Sequence, residues 1–573
     1  MDNRAIADVL SQVGDLLEIK GDNAFKIRAY RSAAETLTTW PDPVAPLDER
    51  QLRDIPGIGK DLAARIRELV DTGRCQVHAD LLTEFPASVL DLLRLQGVGP
   101  KTVALLVAER GITSVPELAA AARAGRLKGL KGMGPKKESL ILKAIEERER
   151  DAGRHLLAHA SAIADDIVQF LQQAVGPVDL VPVGSLRRGA ETCGDIDILA
   201  VGAEQRIMDV FVTHPRVDRV LGHGETKSSV RLHGGMQVDL RVVPPESRGA
   251  ALQYFTGSKA HNVALRDRAL KAGLTLNEYG LYRRDDNTAV AGDDEERVYA
   301  ALGLPWIAPE LREDRGEFQL AAEGRLPRLV TVDDIRGDLH MHTTATDGRD
   351  SIEAMAEAAH ARGYRYIAIT DHSQALAMAN GLDERRALEH ARRVRALNGR
   401  YEGLTLLAGI ECDILEDGQL DLSDDCLAEL DVVVASVHSR FSQDEAQMTD
   451  RVLRAIAHPS VDIIGHPTGR LLLKRDPLKL HFDRVATAAA AAGVALEMNC
   501  QVDRLDLNDV LARAARERGA TVVISTDAHA VSGLNNLRWG VQMARRAWLE
   551  PPSILNTQDL DGLRRSLRRH RRK

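Results

Sequence analysis

The spacing of apolar residues divides this chain into stretches of different character. Up to about residue 150 it reads as short amphipathic helices punctuated by glycine, for example Leu62 to Leu69 and a later run ending at Val107. A helix follows near residues 155–175, then strands. In Asp195-Ile196-Asp197-Ile198-Leu199 the apolar side chains alternate into a core, which makes a stiff strand with both aspartates on the other face. Gln237 to Val243 alternates likewise and sets Asp239 and Arg241 on one face. Residues 316–335 are polar, loosely patterned and read as a linker. Beyond them, short apolar runs alternate with alanine-rich helices, the signature of β/α repeats.

The chain has 573 residues, too many for one domain and suited to roughly three to five. A net charge of −8 announces no global basic field, so nucleic-acid binding has to come from local patches. One basic run closes the chain, Arg564 to Lys573, and reads as a solvated tail or a contact to a DNA backbone. The cysteines at 75, 193, 412, 426 and 500 are scattered and form no CxxC pair, so neither a disulfide framework nor a structural zinc site is suggested. No signal peptide or bilayer-length apolar run is apparent, so a soluble, cytoplasmic protein without a membrane partner is expected.

Chemistry concentrates first in Val183 to Gly202. Two carboxylates at i and i+2 on one strand repel each other, and the pair is best tolerated with a cation between them. Hard oxygen ligands of this kind suit Mg²⁺ or Mn²⁺. Gly184-Ser185 with Arg187 and Arg188 offers amides, a hydroxyl and guanidinium forks to a polyphosphate. A phosphate cradle beside a metal strand suggests nucleotidyl transfer; the bland alternative is a surface turn with a solvated arginine pair. Asp239 as a third carboxylate favours the first reading.

Gly184-Ser185, Arg187-Arg188, Gly194-Asp195-x-Asp197, Asp239 and Tyr254-Phe255-Thr256-Gly257-Ser258 together resemble the palm and thumb of family X DNA polymerases, the polymerase beta class, over roughly residues 1–315. The resemblance implies that Asp195 and Asp197 ligate two metals and that Asp239 joins the catalytic one and orients the primer hydroxyl. Gly184, Ser185, Arg188 and Gly194 would hold the triphosphate, and Tyr254, Phe255 and Gly257 would pack on the incoming sugar. Asn262 and Arg266, one helical turn apart, would touch the minor-groove edge. Upstream, Gly57-Ile58-Gly59-Lys60, Gly97-Val98-Gly99-Pro100-Lys101 and Gly132-Met133-Gly134 repeat one device. Each resembles a helix-hairpin-helix, which binds a DNA phosphate through backbone amides without reading sequence. Lys26 and Tyr30 match residues that grip a 5′-phosphate at a gap. The position of the family's imine-forming lysine is Arg65, which cannot be a Schiff-base nucleophile, so lyase activity is not expected.

A second set of ligands falls at the ends of apolar runs: His340, His342 and Asp347, then His372, Glu411, His438, His466, and finally Asp527 and His529. In β/α barrels the strand C-termini converge on one face. Six histidines and three carboxylates at that edge point to a multinuclear metal site. From about residue 336 to 565 the pattern resembles the polymerase and histidinol phosphatase (PHP) phosphoesterase domain, a distorted seven-stranded β/α barrel with up to three metals. The resemblance implies one metal on His340, His342, Glu411 and Asp527, a second on Glu411, His438 and His466, and a third on Asp347, His372 and His529. Mixed imidazole and carboxylate ligation suits Mn²⁺, Zn²⁺ or Fe²⁺. Other histidines, such as His155, His159, His390 and His458, read as surface or packing residues.

The expectation is a multidomain α/β protein: a helical domain over residues 1–82, a second over 83–150, an α+β palm over 151–245, a thumb over 246–315, a linker, and the barrel over 336–573. It would act, as a monomer, on gapped or nicked DNA and dNTPs, filling short gaps and trimming 3′ ends as a 3′→5′ exonuclease, with cutting at abasic sites a further option. The rivals are a DNA-end scaffold with an inactive polymerase half and a small-molecule phosphatase.

Overall fold

The computed structural model describes residues 3–567 except 41–42, 94, 96–97, 128–129, 131–132, 135–136, 138, 140, 143–144, 146–152 and 204. Hairpin glycines Gly97 and Gly132 and most of the basic tail lie outside the described residues. The chain forms two compact units, Met1–Ala152 and Gly153–Lys573.

The first unit is helical. Helices Asn3–Lys20 and Ala24–Thr39 pack as a pair, with Leu10, Val13, Leu17, Ala33 and Leu37 in their shared core. The hairpins recur as the sequence suggests. Helix Lys60–Thr72 starts after Gly59 and helix Pro100–Arg110 after Gly99, neither with a side-chain cap. The apolar residue between each pair of glycines, Ile58, Val98 or Met133, is buried and pins the turn to the core. Gly57 is at φ +83°, which favours glycine, while nothing stands within 4 Å of a Cβ built on Gly59, Gly99 or Gly134. That side of each turn is open to a ligand.

Among the described residues of the second unit there are four sheets, of two, three, five and seven strands. In the palm, β1 (His155–Leu156) pairs with β3 (Thr192–Cys193), and helix Leu157–Val175 follows β1. The five-stranded sheet has the order β2-β4-β7-β6-β5, from β2 (Asp179–Pro182), β4 (Asp195–Val201), β5 (Val217–His223), β6 (Lys227–Leu232) and β7 (Gln237–Val243). Ile196, Ile198 and Ala200 of β4 face the core beneath helix Leu157–Val175. Leu199, expected to point the same way, instead shares the aspartate face and is covered by Ala251 and Leu252 of helix Arg248–Thr256. Alternation along a strand requires this, and the sheet is covered on both faces there.

The thumb combines helices Arg248–Thr256, Lys259–Lys271 and Glu295–Ala301 with the antiparallel strands β8 (Leu274–Asn277), β9 (Gly280–Arg283) and β10 (Ala289–Ala291). The segment read as a loose linker is structured. Helix Glu317–Ala322 buries Glu317 completely; its carboxylate accepts from the Asp314 and Arg315 amides, both at 2.7 Å, and from His261 Nδ1 at 2.8 Å. Polar composition suggested a solvated connector, but these donors satisfy the buried charge.

The remaining strands, β11 (Gly337–Asp338), β12 (Tyr366–Ile369), β13 (Thr405–Asp413), β14 (Val432–Ser436), β15 (Ile463–Ile464), β16 (Ala495–Asn499) and β17 (Val522–Ser525), are parallel and adjacent in chain order. A parallel bridge, Met341 to Ala528, joins the two ends of the sheet, and Thr526 donates to the Asp338 carboxylate across the same gap. The strands are buried on both faces, which explains their unbroken apolar runs.

Candidate metal centres of the palm and the barrel

Parallel pairing of β4 with β7 sets Asp197 directly opposite Asp239 and Asp195 opposite Gln237. The three aspartates thus meet on one face. Asp195 is exposed, Asp197 half-buried and Asp239 only 7 % exposed. Burial, and then the charges of Asp195 and Asp239, push the Asp197 carboxyl up to about 6. Crowded oxygen donors of this kind fit a hard divalent cation. Gly184 is required at the edge of this site: it sits at φ +65°, and a Cβ would stand 3.1 Å from Asp197 Oδ2.

Lys227 enters the site unannounced. It begins β6, and its Nζ lies 2.6 Å from Asp239 Oδ2. Burial alone would raise the Asp239 carboxyl; hydrogen bonds from Lys227, Gln237 and Ser229 hold it below its ordinary value. Register explains the contact, since Ser229 pairs with Asp239 and Lys227 lies two residues away on the same face of β6.

The two arginines diverge. Arg187 forms a fork with Glu295, both bonds at 2.9 Å, and is a tie between palm and thumb rather than a spare phosphate ligand. Arg188 Nε donates to Glu313 at 3.0 Å and Nη1 to the Thr256 carbonyl. Gly257, at φ +69°, lies so close that a Cβ would come within 3.1 Å of Arg188 Nη1. The expected triphosphate and sugar elements therefore meet. Tyr254 and Phe255 stack edge-to-face at 5.1 Å, with the Arg241 guanidinium 4.6 Å over Phe255. Asn262 is tied within the thumb, donating to the Tyr254 carbonyl and accepting from Gln253, both at 2.7 Å, while Arg266 is exposed.

In the first unit, Lys60 and Lys101 are exposed beside their hairpins. Lys26 pairs with Asp22 at 3.1 Å, and the Tyr30 ring belongs to the helical core at 7 % exposure. Arg65 pairs with Glu68 at 2.9 Å.

In the barrel all nine sequence-chosen residues gather at the C-terminal ends of the strands. Three ligand groups form among the described residues: His340, His342 and Asp527; His372, Glu411 and His438; and His342, Asp347, His372 and His529. Glu411 is central. Its Oε1 lies 3.0 Å from His466 Nε2 and 3.3 Å from His438 Nε2. Its Oε2 faces His340 Nε2 at 3.4 Å, His342 Nε2 at 3.6 Å and His372 Nδ1 at 2.8 Å. Grouping by distance differs from the expected partition: His342 and His372 each face two groups, Glu411 groups with His372 and His438 only, and His466 reaches the cluster through Glu411 Oε1 without joining a group.

Several of these atoms, His340 Nε2, His342 Nδ1, His372 Nδ1 and Glu411 Oε2, are buried without a hydrogen bond. Imidazole nitrogens clustered around a carboxylate oxygen, close but not aimed as hydrogen-bond donors, have the arrangement of ligands to shared cations. The field agrees. Against burial, Glu411 raises His372 to about 10 and His438 to about 9. Against burial again, the neighbouring histidines hold Glu411 and Asp527 well below the carboxylate range. The carboxylates thus stabilise positive charge on His372 and His438, whereas burial and the neighbouring His529 and His372 push His342 down to about 4. His466 at φ +25° and Asp527 at φ +51° hold left-handed backbone at this site, a strain that clusters at functional positions.

The sixth barrel strand carries what sequence reasoning missed. Glu497 on β16 is fully buried; its Oε1 accepts from His340 Nδ1 at 2.7 Å and its Oε2 from the His466 amide at 2.6 Å. Asn499 donates to Asp527 Oδ2 at 2.9 Å. A carboxylate inside the apolar run Ala495-Leu496-Glu497-Met498 was the available signal. Asp413 accepts from His438 Nδ1 at 2.9 Å. His390, read as a surface or packing residue, is buried 2.8 Å from Asp371, which in turn fixes Thr343.

Five protein families match this chain. They are a helix-hairpin-helix domain over residues 1–75, a SAM-like helix-hairpin-helix tandem over 89–147, the DNA polymerase beta palm over 157–228, the DNA polymerase beta thumb over 251–313 and the PHP domain over 338–501. The DNA polymerase/3′-5′ exonuclease PolX of Bacillus subtilis (strain 168) is 37% identical over 573 residues, covering 100% of both chains. A probable phosphatase of Shewanella sp. (strain MR-4) is 34% identical over 207 residues, 34% of this chain and 77% of its own. A probable phosphatase of Thermoanaerobacter sp. (strain X514) is 28% identical over 247 residues, 41% of this chain and 96% of its own.

Proposed function

The chain belongs to the family X DNA polymerases that carry a PHP domain, and on that premise we propose how its residues divide the work of making and breaking phosphodiesters. It is a DNA polymerase and a 3′→5′ exonuclease, and both activities depend on metal. The observation that carries the division is the contrast between the donor sets: carboxylates alone where β4 meets β7, and imidazoles around Glu411 at the barrel mouth.

In the palm, Asp195, Asp197 and Asp239 hold Mg²⁺ or Mn²⁺. Asp239 orients the primer 3′-hydroxyl, and Lys227 keeps that carboxylate ionised. Ser185 and Arg188 hold the triphosphate with Gly184 and Gly194, and Tyr254, Phe255 and Gly257 pack the sugar. In the barrel, His340, His342, Asp347, His372, Glu411, His438, His466, Asp527 and His529 hold up to three ions of Mn²⁺, Zn²⁺ or Fe²⁺. Glu497 accepts the proton on His340 Nδ1 and so leaves Nε2 as the ligand atom. Bound divalent ions supply Lewis acidity in both places, lowering the pKa of a coordinated hydroxyl or water and neutralising charge on the reacting phosphate.

The hairpins at Gly57, Gly59, Lys60, at Gly99, Lys101 and at Gly134 grip the DNA backbone beside a short gap, as Lys26 does its 5′ end, while Tyr30, buried in the helical core, packs beneath that surface. The protein works as a cytoplasmic monomer in gap-filling repair, its barrel clearing 3′ ends for its palm. One labelled gapped duplex tests the division. Asp195→Ala abolishes extension and spares degradation, and His340→Ala does the reverse. Loss of both activities in either folded variant refutes the assignment.

A further inference from the structure

A buried guanidinium of the barrel, Arg546, reaches the Arg188 corner of the palm. Arg546 closes the barrel helix Leu537–Arg546. Its Nη1 donates to the Arg188 backbone carbonyl at 2.8 Å and to Glu313 Oε1 at 2.9 Å. The same Glu313 oxygen accepts from Arg188 Nε at 3.0 Å. Arg188 is thus held twice by one barrel residue, directly at its main chain and through Glu313 at its side chain. Arg546 Nη2 is anchored in turn by Asp509 at 3.1 Å, which also accepts from Arg315 at 2.8 Å. One turn earlier on the helix, Gln542 fills the space beside Gly189, where a Cβ would lie 2.5 Å from its side chain. The Arg188-Gly189 corner cannot shift unless the barrel helix moves. Burial works against the Glu313 charge, but Arg188 and Arg546 hold its carboxyl below the ordinary range. A carboxylate shared by two guanidiniums cannot release either without leaving a buried charge poorly paired.

We propose that Arg546 is a positioning residue of the polymerase centre, by which the barrel presets the Arg188 fork for the triphosphate of the incoming nucleotide. The inference rests on the assignment of Arg188 to that triphosphate. Fixing a long side chain before the nucleotide arrives removes an ordering cost from binding, so the effect belongs to nucleotide affinity rather than to the chemical step. The two catalytic halves are then separate in chemistry but not in construction: the palm's nucleotide site is completed by the domain that degrades DNA.

Single-nucleotide insertion into a gapped duplex by the full-length protein reads dNTP KM and kcat, and 3′→5′ degradation of the same duplex reports an intact fold. Arg546→Gln is expected to raise the dNTP KM about tenfold, with kcat within about twofold and degradation unchanged, since one charge-assisted hydrogen bond is worth on the order of a decade. Arg546→Lys recovers part of the loss. Glu313→Gln cuts the same bridge from its other end and raises KM likewise, which keeps the test open should Arg546→Gln fail to fold. On an Arg188→Ala background, Arg546→Gln adds nothing further, because no fork is left to position. A merely structural Arg546 would instead lower both activities, or raise KM by the same factor with and without Arg188. Either result, or a KM shift under about twofold in both bridge variants, overturns the inference. If Arg188→Ala alone leaves the dNTP KM unmoved, the assignment of Arg188 has failed first and takes the inference with it.

Discussion

Replacing Glu497 with glutamine changes one atom and should disable the exonuclease through a tautomer. The native carboxylate accepts on both sides, from His340 Nδ1 at 2.7 Å and from the His466 amide at 2.6 Å, with Asn499 Nδ2 a third donor at 3.2 Å. A glutamine has one accepting oxygen and one donating NH₂. The His466 amide cannot become an acceptor, so the oxygen stays there and the NH₂ turns to His340 Nδ1. That nitrogen must then accept, and a neutral imidazole that accepts at Nδ1 carries its proton on Nε2. Nε2 is the atom that faces Glu411 at 3.4 Å and Asp527 at 3.7 Å, and a protonated nitrogen cannot ligate an ion. Losing a charge-assisted bond costs about 1.5–3 kcal/mol, and removing an outer partner of a ligating histidine typically costs about 10–100-fold in metal affinity or activity. Glu497→Gln should therefore lose at least about tenfold in 3′→5′ degradation and part of its bound metal, with primer extension unaffected. The assay is degradation and extension of one end-labelled duplex, with metal content measured on the same sample. Degradation within about twofold of the parent at equal metal content would refute the tautomer argument.

Three further outcomes follow from the distances. Gly184→Ala forces a Cβ against Asp197 Oδ2 at φ +65°; nucleotide addition should fall at least about tenfold while degradation stays, and stability should drop about 1 kcal/mol, read by insertion kinetics and thermal melts. Lys227→Met removes the main support for an ionised Asp239, so the Asp239 carboxyl rises and the acid limb of the extension profile moves to higher pH; superimposable profiles would contradict the role given to Lys227. Glu295→Ala leaves the fully buried Arg312 and the Arg187 fork without their shared carboxylate, a loss of about 3–5 kcal/mol measurable by thermal unfolding. Burial opposes the Glu295 charge, but Arg312 and Arg187 hold its folded pKa at about 2 against an ordinary 4.5, so its stabilisation is full above the ordinary value and fades as pH falls toward 2.

Much of this protein is legible in one dimension because its chemistry is carried by short local patterns. Asp195 and Asp197 share a face by strand alternation alone. The barrel ligands end or follow apolar runs because parallel strands buried on both faces admit polar residues chiefly at their ends, with Glu497 inside β16 an exception. The hairpins announce themselves by a buried apolar residue between two glycines. Pairing register is different, since it depends on which strands become neighbours. Lys227 reached Asp239, and Glu497 reached both His340 and the His466 amide, only once the sheets had formed. Arg187 and Arg188 are adjacent in the chain, yet Glu295 takes the first as a tie while Glu313 and Arg546 hold the second in place, partners 108, 125 and 358 residues away. Residue type and spacing state which groups are available for chemistry. Which of them are occupied by one another is set by long-range burial, where every charge withdrawn from water must find its counterpart, and that choice belongs to the tertiary structure.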